Sequence, residues 1–105
     1  MARTWRGATR VQDRDAYLSY LHESGFREYR ATPGNVGVVG LSRVIDSRAE
    51  FLVLSLWESV AAIRRFAGDD IGRAVFYPRD DEFLVDRDLA VNHYDVLFLD
   101  GLGTP

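Results

Sequence analysis

The sequence predicts an α+β domain of the ferredoxin-like βαββαβ type, with an antiparallel four-stranded sheet that helices cover on one face. Three observations lead to this fold. A length of 105 residues suffices for one hydrophobic core, so we expect a single domain over residues 1–105. Strand-like and helix-like patterns alternate along the chain in the βαββαβ order. The composition, with 47% hydrophobic and 28% charged residues, is typical of a folded globular protein.

The first half of the chain predicts a strand, a helix and a second strand. Residues 3–10 contain two threonines and a tryptophan, which favour the first strand. Asp13 is a good N-cap for the amphipathic helix that follows, and Gly25 is a typical C-terminal stop. Residues 30–35 contain proline and glycine and predict a turn, after which residues 36–44 form a Val-rich second strand.

The second half predicts a strand, a helix and a final strand. Residues 51–57 give the clearest strand pattern and pair with the preceding strand as an antiparallel hairpin. Ser59 is expected to cap a second helix that ends at Gly68.

A less regular connection is expected between the second helix and the last strand. Residues 69–77 predict a short helical piece, and the acidic residues 80–82 mark a connecting excursion in which carboxylates favour a helix start. Residues 90–99 predict the last strand. The remaining residues, 101–105, are expected to fray.

Charge and residue content exclude several classes of function. The net charge is −3 and the basic residues are all arginines, which argues against a nucleic-acid partner. There is no cysteine, and the two histidines, His22 and His93, are too few for a metal site, so we expect no metal. No nucleotide-binding or zinc-protease motif is present. No signal core or membrane-spanning apolar run occurs, so we expect a cytoplasmic protein without a membrane partner.

Both faces of the predicted sheet are apolar. On the third strand Phe51 and Val53 point to one face, because side chains alternate along a strand. Leu52, Leu54 and Leu56 point to the other. Helices cover only one face, and a partner's sheet is the simplest cover for the second. We therefore predict a homodimer whose sheets pack face to face; the alternative is a monomer whose own C-terminal tail closes this face.

Aromatic side chains indicate a ligand site. We expect one cavity between helices and sheet to be lined by Tyr17, Tyr20, Tyr29, Tyr77 and Trp57. Such a pocket is apolar with a few hydroxyl donors and suits a flat aromatic or polyketide-type ligand. The alternative is that these rings simply fill the core.

His93 is the one histidine on a predicted strand, and it titrates near neutral pH. We expect it to act as an acid–base group at the cavity, and the alternative is a packing residue. Strand parity leaves open which face of the sheet it occupies.

Several strings of residues resemble the antibiotic biosynthesis monooxygenase-like family of dimeric α/β-barrel proteins, over nearly the whole chain. The strings are Ala2-Arg3-Thr4-Trp5 with Gly7, residues 29–35, Leu56-Trp57-Glu58-Ser59 with Ile63, Phe66-Ala67-Gly68, Tyr77-Pro78 with Asp80-Asp81, and His93-Tyr94. They are typical of the family but not of one reaction.

The resemblance implies a dimeric α/β barrel and, in some members, an oxygenase that needs no cofactor. In such members a phenolic substrate is deprotonated, and its carbanion reacts directly with O2. Other members degrade haem with an Asn, a Trp and a His. Here the corresponding places hold Trp5 or Arg6, Phe66 and Phe76, which include no axial ligand, so the resemblance does not extend to haem.

We therefore expect a cofactor-independent, monooxygenase-like enzyme acting on an aromatic or polyketide-type molecule of secondary metabolism. The expected catalytic residues are His93, Trp57 and Tyr77. The expected substrate-binding residues are Arg6, Tyr17, Tyr20, Tyr29, Phe66 and Phe76. Two alternatives stay open: a non-catalytic ligand-binding or regulatory module, and a cyclase or eliminating enzyme on the same fold.

Overall fold

The computed structural model describes residues 1–101 of the chain. Its elements in chain order are β1 (Ala2–Arg10), α1 (Arg14–Glu23), α2 (Gly25–Ala31), β2 (Asn35–Ile45), β3 (Arg48–Trp57), α3 (Val60–Ala67), α4 (Asp80–Phe83), β4 (Leu84–Arg87) and β5 (Asn92–Tyr94). A short 3-10 turn, Val11–Asp13, joins β1 to α1.

The strands form one antiparallel sheet in the order β2-β3-β1-β4, with β5 also paired to β1. β4 pairs with the end of β1 at Gly7–Thr9, and β5 pairs with its beginning at Ala2–Thr4. Two short strands therefore share one edge of β1, and only β5 lies within the predicted last strand, residues 90–99. The strand order is that of a ferredoxin-like fold, which confirms the predicted class; over residues 1–101 the sheet is open and does not close into a barrel.

The sheet has a helix-facing side and an outer side. On β3 the odd-numbered residues are buried beneath the helices, among them Phe51, Val53 and Trp57. Leu52 and Leu54 lie on the outer side and are half-buried. The register Trp5↔Val53 places the odd-numbered residues of β1 on the helix-facing side as well.

The helix ends partly follow the predicted signals. Ser59 caps α3, because its hydroxyl accepts a hydrogen bond from the Ala62 N–H at 3.1 Å, and Gly68 ends it with φ +82°. The first helix ends at Glu23, two residues before the predicted stop at Gly25, but glycine is not the cause. Ser24, with ψ −95°, breaks the helix, and Gly25 begins α2.

The predicted helical piece at residues 69–77 was also wrong. This segment pairs with the chain that follows β4: Arg73 bridges Ala90, the Ala74 N–H donates to the Leu89 carbonyl, and the Val91 N–H donates to the Gly72 carbonyl. These hydrogen bonds satisfy part of its backbone without a helix. The acidic residues 80–82 instead open the four-residue helix α4.

The predicted last strand, residues 90–99, is much shorter than expected. Within this range only Asn92–Tyr94 pair with β1. The strand β4, which lies before residue 90, was not predicted. Residues 95–100 follow without regular structure, with Leu97 and Phe98 exposed. The expected frayed end, apart from residue 101, lies outside the described residues.

Two clusters of apolar side chains fill the space between helices and sheet. The first gathers Tyr17, Leu21, Phe51 and Leu84 under α1, and the second packs α3 on Trp57. No helix of residues 1–101 is long and apolar enough to cross a membrane.

Candidate functional site

A small cavity lies between the two clusters, on the helix-facing side of β1. Its lining residues come from β1 and β3, from α1 and α2, from the irregular segment before α4, from the first residue of α4 and from the residue before β5: Arg3, Trp5, Tyr17, Leu21, Gly25, Tyr29, Val53, Val75, Tyr77, Asp80 and Val91. Its volume is about 30 Å³, which is room for one or two water molecules. The walls combine aromatic rings with one buried carboxyl and one buried guanidinium group.

Gly7 allows a tryptophan to lie along the sheet at one wall. A Cβ at Gly7 would collide with the Trp5 ring, so the ring's position requires glycine here. The Trp5 indole N–H donates to the Asp88 carbonyl at 2.9 Å, and Phe76 packs edge-on against the ring. The wall is thereby held rigidly.

Asp80 places a carboxyl group in the cavity wall. The side chain is only 4% exposed. One oxygen, Oδ2, accepts from the Tyr77 backbone N–H at 2.7 Å, and the other, Oδ1, accepts from the Tyr17 hydroxyl at 3.3 Å. Asp80 forms no ion pair with a cation of the described residues. Burial raises the pKa of this carboxyl, against the hydrogen bonds that lower it.

Three tyrosines face the same space. Burial is the largest cause that raises the pKa of Tyr17, Tyr29 and Tyr77 above the ordinary phenol value, so all three are neutral donors at physiological pH. The Tyr17 hydroxyl is committed to Asp80. Among the residues the structure describes, the hydroxyls of Tyr29 and Tyr77 have no hydrogen-bond partner, which leaves them available to a ligand.

Arg3 supplies the one buried cation of the cavity. Its side chain is on the helix-facing side of β1, and the residue is 3% exposed. Its Nη1 donates to the Ile71 carbonyl, and its Nη2 donates to the Arg73 carbonyl at 2.9 Å. The guanidinium also stands 5.8 Å over the Phe66 ring. Burial lowers the pKa of Arg3, and the nearby Tyr29 raises it.

His93 is on the helix-facing side of the sheet, opposite Arg3 in the pairing of β5 with β1. The alternation of side chains along the strand had left open which face of the sheet His93 occupies, and this pairing answers it. Its Nε2 lies 3.1 Å from Arg3 Nη1, and because a guanidinium only donates, Nε2 is the unprotonated acceptor. Burial, and then the Arg3 charge, lower the pKa of His93. The ring is not among the cavity-lining residues and contacts the cavity only through Arg3.

Trp57 and Phe66, two further predicted site residues, belong to the core beneath α3. Trp57 is 2% exposed, and its indole N–H donates to the Ser55 hydroxyl at 2.8 Å. Phe66 packs on Tyr29 with 4.6 Å between the ring centroids. Both therefore support the Tyr29 wall from behind and do not line the cavity themselves.

The other predicted binding residues lie farther from the cavity. The Tyr20 hydroxyl accepts from the Arg79 backbone N–H at 2.9 Å, which ties α1 to the segment before α4. Phe76 packs behind Trp5. Arg6 is on the outer side of the sheet, where it pairs with Glu50 at 2.8 Å.

Arg3 and Asp80 were not among the predicted site residues. Nothing in the local pattern distinguishes them from the neighbouring exposed arginines and aspartates.

A larger groove on the outer side does not offer comparable chemistry. It has a volume of about 420 Å³ and lies beside the β2–β3 turn. Its main charges pair with each other, Arg6 with Glu50 at 2.8 Å and Arg48 with Asp86 at 3.9 Å, and all of these side chains except Glu50 are more than half exposed. Exposed pairs of this kind are screened and hydrated. The helix–sheet cavity is therefore the candidate site.

The fold is shared with solved structures of low sequence identity. A candidate antibiotic biosynthesis monooxygenase from Bacillus cereus is similar, with a TM-score of 0.65 and 15% identity over 95% of each chain. A mutant of MhuD with two manganese protoporphyrin IX molecules per active site has a TM-score of 0.59 at 15% identity, covering 96% of this chain and 99% of that one. A NIPSNAP domain protein from Burkholderia xenovorans has a TM-score of 0.52 at 16% identity, covering 95% and 100%.

These likenesses establish the fold, and they confirm the predicted resemblance to the antibiotic biosynthesis monooxygenase-like architecture at that level. No protein-family model matches the sequence, and no curated protein matches it.

The residues around the cavity do not fit a porphyrin. The two histidines are the strongest haem ligands in the chain, but His93 Nε2 is engaged by Arg3, and His22 is exposed on α1 against Phe26.

Proposed function

We propose that this protein is a cofactor-independent monooxygenase-like enzyme that oxidises a phenolic, aromatic or polyketide-type molecule of secondary metabolism in the helix–sheet cavity. The observation that carries the proposal is the buried Asp80 carboxyl beside the free hydroxyls of Tyr29 and Tyr77. A general base in an apolar pocket, next to neutral donors, is what enolate formation requires. The shared fold with a candidate antibiotic biosynthesis monooxygenase supports it.

In the proposed reaction Asp80 removes a proton from an acidic C–H or O–H group of the substrate. The electron-rich carbanion or phenolate then transfers electrons to O2, which is the oxidant, and a C–O bond forms. Loss of water from the resulting peroxide leaves one oxygen atom in a carbonyl group, so that a methylene group and one O2 become a carbonyl group and one water molecule. Tyr29 and Tyr77 donate hydrogen bonds to the oxygen on which negative charge develops, and the proton on Asp80 returns with the departing water.

Among the predicted catalytic residues, Tyr77 takes the role of oxyanion stabilisation in this reaction, and His93 and Trp57 take supporting roles. His93 positions Arg3 through Nε2. Trp57 backs the ring of Tyr29, with 6.2 Å between centroids. The base is Asp80, because its carboxyl lines the cavity whereas the His93 ring does not.

An aromatic substrate needs more room than the cavity has in this form. One wall, which includes Val75 and Tyr77, is a segment without helix or strand. Such segments open at lower free-energy cost than a packed helix or sheet. We therefore expect this wall to move outward when substrate binds.

We also propose that the protein acts as a homodimer through the outer side of the sheet. Leu41, 50% exposed, and the half-buried Leu52 line an open apolar groove of about 410 Å³ there. Within residues 1–101, the C-terminal segment reaches one end of this side, where Leu99 shares a groove with Val36 and Leu56. A second copy covers the remainder in the same way on both subunits.

Oxygen consumption tests the proposed activity. Purified protein is mixed with anthrones and hydroquinones, without added metal, flavin or haem, and both oxygen uptake and product are followed. With anthrones, whose methylene group is the site of oxidation, we expect one O2 consumed per product, with one labelled atom from isotopic oxygen gas in the new carbonyl group. Asp80→Asn removes the proposed base. Asp81→Asn is its matched control, because Asp81 neighbours Asp80 but is exposed and pairs with Arg87. Binding without oxygen uptake across the panel contradicts the proposal and favours a ligand-binding module.

A further inference from the structure

Gly25 is a buried glycine that no feature of the backbone requires. Among residues 1–101 the other buried glycine is Gly7, whose presence is explained by the Trp5 ring. Gly25 does not have a positive φ, so its conformation is open to other residues. It does not end α1 either, since the helix break is at Ser24. Because glycine is less stable than alanine in a helix, its presence at the start of α2 needs another reason.

The space over Gly25 belongs to the cavity. A Cβ atom at this position would lie 3.7 Å from Tyr77 Cε2 and 4.0 Å from Leu21 Cδ2. These are ordinary carbon–carbon contact distances, whereas a Cβ at Gly7 would come within 2.4 Å of the Trp5 ring. Gly25, Leu21 and Tyr77 all line the cavity. An alanine methyl group would therefore fit, and glycine leaves an apolar gap between α2 and the Tyr77 ring.

The gap lies between a fixed side and a side that can move. Gly25 is held at the junction of α1 and α2, where the Ser24 hydroxyl donates to the Tyr20 carbonyl at 2.7 Å and the Glu28 N–H donates to the Ser24 carbonyl at 2.9 Å. Tyr77 belongs to the segment without helix or strand. The outward movement proposed for that segment deepens the gap, so that a ligand group can lie directly on the Gly25 backbone.

We propose that Gly25 is a specificity-determining residue, and that the gap over its backbone is an apolar subsite for one methyl-sized group of the ligand. The inference deepens the proposed function and rests on its assignment of the cavity as the ligand site. The two atoms that face the gap, Tyr77 Cε2 and Leu21 Cδ2, are carbons and offer no hydrogen bond. The subsite therefore selects a methyl group over a hydroxyl group, which would lose its hydrogen bonds to water there.

Three probes that differ at one ring carbon test the subsite: 1,4-dihydroxynaphthalene, its 2-methyl derivative and its 2-hydroxy derivative. Binding is measured under nitrogen, which excludes the oxygenase reaction. NMR titration of isotopically labelled protein follows the indole N–H signal of Trp5, which lines the cavity. We expect the parent protein to bind the methyl probe about fourfold more tightly than the unsubstituted one, as for one buried methyl group, and the hydroxyl probe no more tightly.

Gly25→Ala puts a methyl group of the protein where the ligand's methyl group would lie. We expect this variant to lose the preference for the methyl probe. We also expect it to melt about 2–8 °C higher than the parent, because alanine fits the site and restricts the unfolded chain. Higher stability together with lost selectivity is a result that a purely structural glycine would not give.

Gly37→Ala is the matched control. A Cβ at Gly37 also makes an ordinary contact, 3.9 Å from Leu56 Cδ1, and Gly37 has no positive φ. Gly37 lies on β2 and does not line the cavity. This variant should keep the parent's preference for the methyl probe.

Each outcome supports or overturns the inference. A Gly25→Ala variant that is more stable than the parent and has no methyl preference supports it. Lower stability of Gly25→Ala, or its failure to fold, assigns the glycine to the fold and overturns the inference. Equal weakening of all three probes by this variant also overturns it, as does a parent protein that has no methyl preference or binds none of the probes.

Oxygen uptake keeps the inference distinguishable from the proposed function. Loss of the methyl preference in Gly25→Ala, without oxygen uptake by any substrate, supports the inference and contradicts the oxygenase. Oxygen uptake by the parent and by Gly25→Ala with the same relative rates across the three probes contradicts the inference alone.

Discussion

Substitution of Asp80 separates its chemical role from its structural one. In Asp80→Ala the Tyr77 N–H, at 2.7 Å, and the Tyr17 hydroxyl, at 3.3 Å, both lose their acceptor. An unsatisfied buried donor costs about 1–3 kcal/mol. The Tyr17 hydroxyl can rotate and its hydrogen bond to Asp80 is long, so the unsatisfied Tyr77 backbone N–H accounts for most of the loss of stability. Removal of the buried Asp80 charge offsets part of that loss. We expect Asp80→Ala to lower the free energy of unfolding by about 2 kcal/mol.

Asp80→Asn keeps an acceptor for the Tyr77 N–H and removes the charge, so its stability should lie within about 1 kcal/mol of the parent. Both variants lose the base, and turnover should fall about 10²- to 10⁴-fold. Urea unfolding and oxygen uptake measure the two effects on the same samples. Equal stability of the Ala and Asn variants would refute the hydrogen-bond argument, and parent-like turnover by Asp80→Asn would refute the catalytic one.

The pH dependence of unfolding provides a separate test of Asp80. Its pKa is raised in the folded protein, so the folded state binds this proton more tightly than the unfolded state. The Asp80 contribution to stability is therefore largest at acidic pH and is lost as the pH rises from the ordinary carboxyl pKa, 3.8, through the raised one. Subtracting the Asp80→Asn profile from the parent profile isolates this contribution. A difference that grows with pH contradicts the sign of the shift.

Three further substitutions test the dimer, the role of His93 and a helix cap. Leu54→Arg, on the outer side of the sheet, should convert the dimer to a monomer, as measured by light scattering. Leu18→Arg on α1 is the control and should leave the dimer intact. A parent protein that is already monomeric would contradict the proposed assembly. His93→Gln keeps an acceptor for Arg3, so turnover should fall less than about tenfold, well below a general-base loss. Because the pKa of His93 is lowered in the folded protein, its contribution to stability is complete above pH 6.5 and is lost as the pH falls. His93→Gln should therefore remove this pH dependence from the free energy of unfolding measured in urea. A pH profile equal to that of the parent protein would contradict the lowered pKa. Ser59→Ala should cost about 1 kcal/mol of unfolding free energy through loss of the α3 cap, and no change in the urea midpoint would contradict the cap.

The fold class could be predicted from the sequence, because local patterns carry that information. Alternation along residues 51–57 predicts a strand with two apolar faces, and the register of β3 bears this out. The Ser59 cap and the Gly68 stop bound α3 as expected, since capping depends on residues a few positions apart. The irregular segment around residue 73 could not be predicted in this way, because its hydrogen bonds go to residues 89–91.

The candidate site depends on contacts between distant parts of the chain. Five aromatic residues were predicted to share a cavity. Tyr17, Tyr29 and Tyr77 line one, because aromatic residues on inward positions meet between helix and sheet, whereas Tyr20 and Trp57 do not line it. Asp80 and Arg3 were not predicted. A charged residue is ordinarily solvated, and only the packing of the segment before α4 against α1, together with the pairing of β1 and β5, buries these two groups on the same cavity. Burial shifts the pKa of a carboxyl or a guanidinium group. Burial depends on contacts between residues far apart in the chain, so the local spacing of residues in the sequence cannot predict it.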